Sequence, residues 1–156
     1  MRKRVIAPTG RGALPQADWL PLEELAEVEI TSENAAHPIE AALVAGGGSG
    51  WRAETPGKQT IRLLFEHPQP VKRIWLKFAE PDAERTQEYV VRWSPDRGQS
   101  FRDVVRQQWN FSPRGATVET EDHRVELPGV TILELTITPD TSGGTAVASL
   151  DQLRLA

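Results

Sequence analysis

The side chains able to do chemistry in this sequence are few, and they do not gather. Of its three histidines, His37 precedes Pro38, His67 precedes Pro68, and His123 sits within an alternating run. No two of them stand at the spacing of a metal pair or of a nucleophile and its base. There is no cysteine, so thiolate ligands, a thiol nucleophile and disulfides are excluded. The acidic stretch Glu80, Asp82, Glu84 and Glu88 offers oxygen ligands, but without the ligand spacing and fixed glycine of an EF-hand loop, and it reads as a solvated acidic loop. A Gly-x-Ser-x-Gly elbow and a phosphate-binding Gly-x-x-x-x-Gly-Lys-Ser/Thr loop are both missing. The glycine-rich stretch 46–50 follows a helical segment, not a strand, and reads as a loop. No catalytic residue, metal ligand or cofactor is expected.

Recognition chemistry is what remains. Gln107, Gln108, Trp109, Asn110 and Phe111 end a strand and enter the turn at Ser112, Pro113, Arg114 and Gly115. An aromatic plane, amides and a guanidinium are the groups that meet the C–H face and hydroxyls of a sugar ring. The competing reading makes Trp109 an anchor that packs the loop onto the core.

These residues need a scaffold, and the hydrophobic pattern says which. Residues 1–18 combine Arg2, Lys3, Arg4 and Arg11 with Pro8, Gly10, Gly12 and Pro15, and form a flexible basic lead-in to a domain at 19–156. Only Val5, Ile6 and Ala7 separate that basic start from Pro8, too short an apolar run for a signal peptide. No membrane-spanning run follows, and the expected location is the cytoplasm. A helical turn is predicted within 19–26 and a short helix over 38–44, where Pro38 suits a first helical position. Otherwise period-2 alternation dominates: Val28 and Ile30; Ile61, Leu63 and Phe65; Ile74, Leu76 and Phe78; Tyr89, Val91 and Trp93; His123, Val125 and Leu127; Leu133, Leu135 and Ile137; and a last strand over 146–155. Trp93 has core parity. Trp75 has the opposite parity to Ile74 and Leu76, so it is either covered by a neighbouring loop or exposed. Eight or so short strands around one core in 156 residues predict an all-β fold, an antiparallel β-sandwich with one or two short helices. The net charge of −4 argues against a nucleic-acid partner.

Several segments together resemble a known family. Ile30-Thr31-Ser32-Glu33 to His37-Pro38, Ala41-Ala42-Leu43, and Gly48-Ser49-Gly50-Trp51 are similar to the opening of discoidin-type, coagulation-factor C-type domains. Thr60-Ile61-Arg62-Leu63 with Pro70-Val71-Lys72-Arg73-Ile74 resembles the next two strands, and Trp93-Ser94-Pro95-Asp96 with Gly98 and Phe101 a characteristic hairpin. The stretch 148–155 resembles the closing strand. The resemblance implies a galactose-binding-like jelly roll with Trp51 in the core, working as a non-catalytic recognition module, often for carbohydrate. Many such domains hold a structural calcium through an Asp-Gly loop before the Trp and a Glu in the closing strand. Here that loop is glycine and serine, and Gln152 stands in place of the Glu, so no metal is expected. The expected ligand surface is the end carrying Arg52, Arg85, Trp109, Asn110 and Arg114, with a carbohydrate partner. The alternative is a protein partner docked on the same loops or on an exposed Trp75 face.

Overall fold

A computed structural model of the chain describes residues 1–3, 14–46 and 49–156. Two helices and eight strands follow in the order α1 (Leu22–Leu25), β1 (Ala26–Ile30), α2 (Glu40–Leu43), β2 (Trp51–Pro56), β3 (Gln59–Ala79), β4 (Arg85–Ser94), β5 (Arg102–Phe111), β6 (Val118–Thr138), β7 (Val147–Leu150) and β8 (Gln152–Leu155). The expected antiparallel sandwich forms, but its longest strands differ from the pattern read in sequence. The runs around Ile61 and Ile74 are one strand, β3, and those around Val125 and Leu135 are another, β6.

β3 and β6 pair from Gln59↔Ile137 to Ala79↔Val118, with register slips between Leu64 and Arg73. The cause lies in the sequence at the slips. Pro68, Pro70 and Pro128 cannot donate to a ladder, so hydrogen bonds are lost there and the ribbon bulges and bends. Gly129 lies at the bend beside Pro68, where a Cβ placed on it would make ordinary contact at 3.8 Å. Prolines that read as strand ends therefore mark a corner.

One half of the ribbon lies in the order β1-β3-β6-β4-β5, while β8 joins the other half of β3. The two halves face each other. From β4, Tyr89 stacks on Phe78 at 5.3 Å, and its hydroxyl pairs with His123 Nε2 at 2.7 Å. Between them lie the alternating sets predicted for the core, including Ile61, Leu63, Ile74, Leu76, Val91, Leu133 and Leu135, all buried. Val125 and Leu127, nearer the rim, are only partly buried.

The stretch 146–155 divides at Asp151. β7 pairs with β2 in a separate small sheet, and β8 with β3. Trp51 is 1% exposed, with its Nε1 donating to Ser32 O at 3.2 Å. Trp75, on the outer face opposite Arg154 in the β3–β8 register, is also 1% exposed, which closes the covered-or-exposed alternative in favour of covered. Of the basic lead-in expected at 1–18, residues 4–13 lie outside the described residues, as do 47 and 48 of the glycine stretch. Residues 1–3 are exposed, and Pro15 O accepts from Trp19 Nε1 at 3.1 Å. No helix among the described residues is long and apolar enough to cross a membrane.

Gly50 tests the packing between β2 and β8. Its φ is +87°, and an added Cβ would meet Leu150 O at 2.6 Å and Asp151 Cα at 2.7 Å. Gly57 has a similar φ of +89° with open space around it. Gly57→Ala should cost about 1–2 kcal/mol from backbone strain alone. Gly50→Ala should cost at least about 2 kcal/mol more, since backbone atoms cannot step aside. Urea unfolding of the pair measures the difference.

Candidate recognition site at the loop end

Because the ribbon folds back, connections from both layers meet at one end. Glu80 N donates to Thr117 O at 2.8 Å, joining the β3–β4 and β5–β6 loops. Thr141 N donates to Thr86 O at 2.8 Å, bringing in the β6–β7 loop. Beside them, His37, Ser49, Trp51, Arg52, Ala79, Ser149, Leu150 and Asp151 line a small hollow of about 70 Å³. Ser49 Oγ lies 3.3 Å from His37 Nδ1, and Lys77 pairs with Asp151 at 3.3 Å.

The sequence-predicted residues divide between this surface and the interior. Arg52 and Arg114 are exposed, with no ion-pair or side-chain hydrogen-bond partner among the described residues. Arg52 is fixed through its backbone, which donates from N to His37 O at 3.1 Å and accepts at O from Asn34 N at 2.8 Å. Asn110 is also exposed, its Oδ1 accepting from Thr86 Oγ1 at 2.7 Å.

Arg85 is a correction: it does not face the loop surface but is 5% exposed. Its Nε pairs with Glu80 Oε1 at 2.9 Å, and its Nη1 donates to Pro139 O at 2.7 Å and Gln87 Oε1 at 3.2 Å. The guanidinium also lies over the Phe111 ring at 4.7 Å. It ties loops to β4 and has little left to offer a ligand. Trp109 is corrected as well. Opposite Gln87 in the β4–β5 register, it packs its ring against the core, and its Nε1 is buried with no partner among the described residues. Strand neighbours point to opposite faces, so Trp109 and Asn110 cannot converge on one ligand.

In the acidic stretch Glu80 pairs with Arg85 and Glu88 with Arg106, while Asp82 and Glu84 are exposed. Among the described residues, no three acidic or histidine side chains gather as a metal site.

An interior polar cluster was missed in the sequence. Gln87 Nε2 donates to Glu119 Oε1 at 3.1 Å, while Glu119 Oε2 and Arg85 Nη2 are buried without partners among the described residues. Burial, followed by the neighbouring Glu121 carboxyl, pushes the Glu119 carboxyl well above the usual carboxylate range. Burial also lowers the His123 imidazole, against the opposing pull of Glu121 and Asp122. The parity of His123, Val125 and Leu127, extended back two steps, was the available signal that Glu121 and Glu119 point inward.

No family model and no curated relative matches this sequence. Solved structures do. A CBM32 module from Clostridium perfringens in complex with GalNAc-β-1,3-galactose is 18% identical, with a TM-score of 0.63 over 88% of this chain and 99% of that one. The family 32 carbohydrate-binding module of C. perfringens NanJ, in complex with galactose, is 16% identical at a TM-score of 0.61, covering 88% of this chain and 96% of that one. A pectin-binding carbohydrate-binding module is 12% identical at a TM-score of 0.59, covering 84% and 89%. The fold is the galactose-binding-like sandwich. The calcium that many such sandwiches hold does not fit here. Gln152 supplies no carboxylate charge, and the Arg154 guanidinium, itself a cation, already bonds Ala42 O at 2.7 Å.

The sign of the Glu119 effect sets a pH test. A carboxyl whose folded pKa is raised binds more protons in the folded state, so its contribution is undiminished below its ordinary value of 4.5 and drains away as pH climbs toward the folded value. Glu119→Gln should therefore flatten the decline in urea midpoint between about pH 5 and about pH 8. An unchanged slope would place the decline elsewhere.

Proposed function

We propose that this chain is a non-catalytic carbohydrate-binding module that meets its glycan at the loop end, with Arg52 and Arg114 as the principal donors. The observation that carries the reading is the pairing of architecture with site. A galactose-binding-like sandwich similar to modules solved with sugars presents, at its loop end, two exposed guanidinium groups that no carboxylate neutralises among the described residues. Guanidinium donors form directional hydrogen bonds to hydroxyls and paired bonds to carboxylates. Asn110 adds an exposed amide at the same end, near the start of β4. His37 and Ser49 add further polar groups to the hollow. Arg85 and Trp109 support this surface from beneath.

A glycan array with galactosides, pectic polysaccharides and alginate, read with chelator present, tests the reading. Binding to at least one class is expected. Arg52→Ala and Arg114→Ala should each weaken it about tenfold, equivalent to about 1.4 kcal/mol, with melting temperature unchanged. Trp109→Ala should instead destabilise the fold, by about 3 kcal/mol, as truncation of a packed aromatic does. No glycan bound, or both arginine variants binding like the parent, would overturn the proposal.

A further inference from the structure

Arg154 is a buried cation with no paired carboxylate; Glu23 and Asp151 favour its charge only from beyond ion-pair distance. It lies on β8 at 5% exposure, and no acid stands within ion-pair distance of it among the described residues. Arginine is almost never buried unless its charge is met. Here carbonyl oxygens meet it: Nη1 donates to Ala42 O at 2.7 Å and Leu153 O at 2.8 Å, and Nη2 to Val44 O at 3.4 Å.

Two of those carbonyls belong to the end of α2. A helix of four residues leaves its last carbonyls without intrahelical partners, and their dipoles present negative charge. Val44, the residue after α2, is already extended, and the chain then turns through Gly46 at φ +74°. Its return is pinned at Gly50 against Leu150 and Asp151. Both ends of the connection from α2 to β2 are thus tied to the β7–β8 segment, the first by Arg154 and the second by backbone contact. Ser49 lies in this connection, with its Oγ 3.3 Å from His37 Nδ1.

The surroundings of the guanidinium have the chemistry of a hard-cation site. Backbone carbonyls converge on it, and Gln152, two residues earlier on the same strand and therefore on the same side, has an Oε1 that is buried and without a partner among the described residues. We propose that Arg154 is a positioning residue, a covalently attached cation that holds the α2–β2 connection through the carbonyls of Ala42 and Val44 and makes the fold independent of calcium. The effect on glycan recognition rests on the function proposed above; the effect on the connection does not, and the test therefore reads the fold.

Calorimetry and amide hydrogen exchange of the full chain, each in chelator and in millimolar calcium, supply the test. The parent protein should melt at the same temperature in both, and a calcium-induced rise of many degrees would overturn the proposal. Arg154→Met keeps the apolar stem and removes the charge; it should melt several degrees lower and speed exchange at residues 42–46 more than in β3 or β6. If Arg154→Met does not fold, Arg154→Lys carries the same measurement, because an ammonium can bond one or two of the carbonyls. It should restore most of the melting temperature while residues 42–46 still exchange faster than in the parent. Adding Gln152→Glu to the Lys variant should leave it insensitive to calcium, and adding it to the Met variant should make calcium raise the melting temperature. Exchange at 42–46 equal to the parent's in both single variants, or no calcium response in the Met/Glu double variant, would sink the idea.

Discussion

The pairing of β3 with β6 is the constraint on which the other elements depend. At about 3.3 Å per residue, a straight strand of this length would reach roughly 70 Å, whereas a domain of this size has a radius of gyration of roughly 15 Å. The strands must therefore bend, and the three prolines fix where. Since the pairing resumes beyond the bend, the same two strands supply the middle of one layer and much of the other. The apolar alternation on each side of the corner faces inward, and the free ends of the ribbon return to a common end of the sandwich. The convergence of the loops follows from that geometry.

Polar groups are placed around this apolar interior with unequal consequences. On the outer face, Glu134 is 3% exposed yet accepts from Arg62 Nε at 2.8 Å and from Arg92 Nε at 2.9 Å and Nη2 at 2.6 Å, so its charge is met on both oxygens. That arrangement costs little because each arginine remains partly in water. Between the layers, Glu119 has only one oxygen bonded, and holding a proton avoids the larger cost of burying an unmatched charge. The two glutamates share a strand and differ in titration because one has cations within reach and the other has chiefly an amide.

The sequence shows the layers better than it shows the site. The alternating sets name most of the core, and both short helices fall within their predicted segments, because apolar periodicity reports one-sided burial directly. Proline misled at the corner: its missing N–H ends a ladder locally, but cannot say whether the strand resumes. Arg85 could have been placed correctly by carrying the parity of Tyr89 and Val91 back through Gln87. Placing it on the end loops hid that parity. Trp109 and Asn110 drew attention as neighbours of suitable chemistry, although adjacent residues on a strand diverge. Trp75 was ambiguous because strand parity alone does not say whether the outer face is covered, and the partners of Arg154 could not be read from its neighbours because they lie far earlier in the chain, at Ala42 and Val44.

The aromatic rings limit what kind of recognition this end can perform. Trp51, Trp75, Trp93, Tyr89 and Phe111 are buried, and Trp19, Phe101 and Trp109 are only partly accessible, so no fully exposed ring offers a stacking platform among the described residues. Stacking provides much of the sequence-tolerant, apolar component of binding to flat ligand faces. Without it, a glycan bound as proposed at the loop end would be held by hydrogen bonds and charge, through groups such as Arg52, Arg114 and Asn110. Exposed hydrogen bonds exchange with water at small net gain, and exposed guanidinium attraction weakens as salt rises. This chemistry therefore favours modest affinity, strengthened when several ligand groups are engaged together, and it favours ligands that carry carboxylates or closely spaced hydroxyls over those that present only an apolar face.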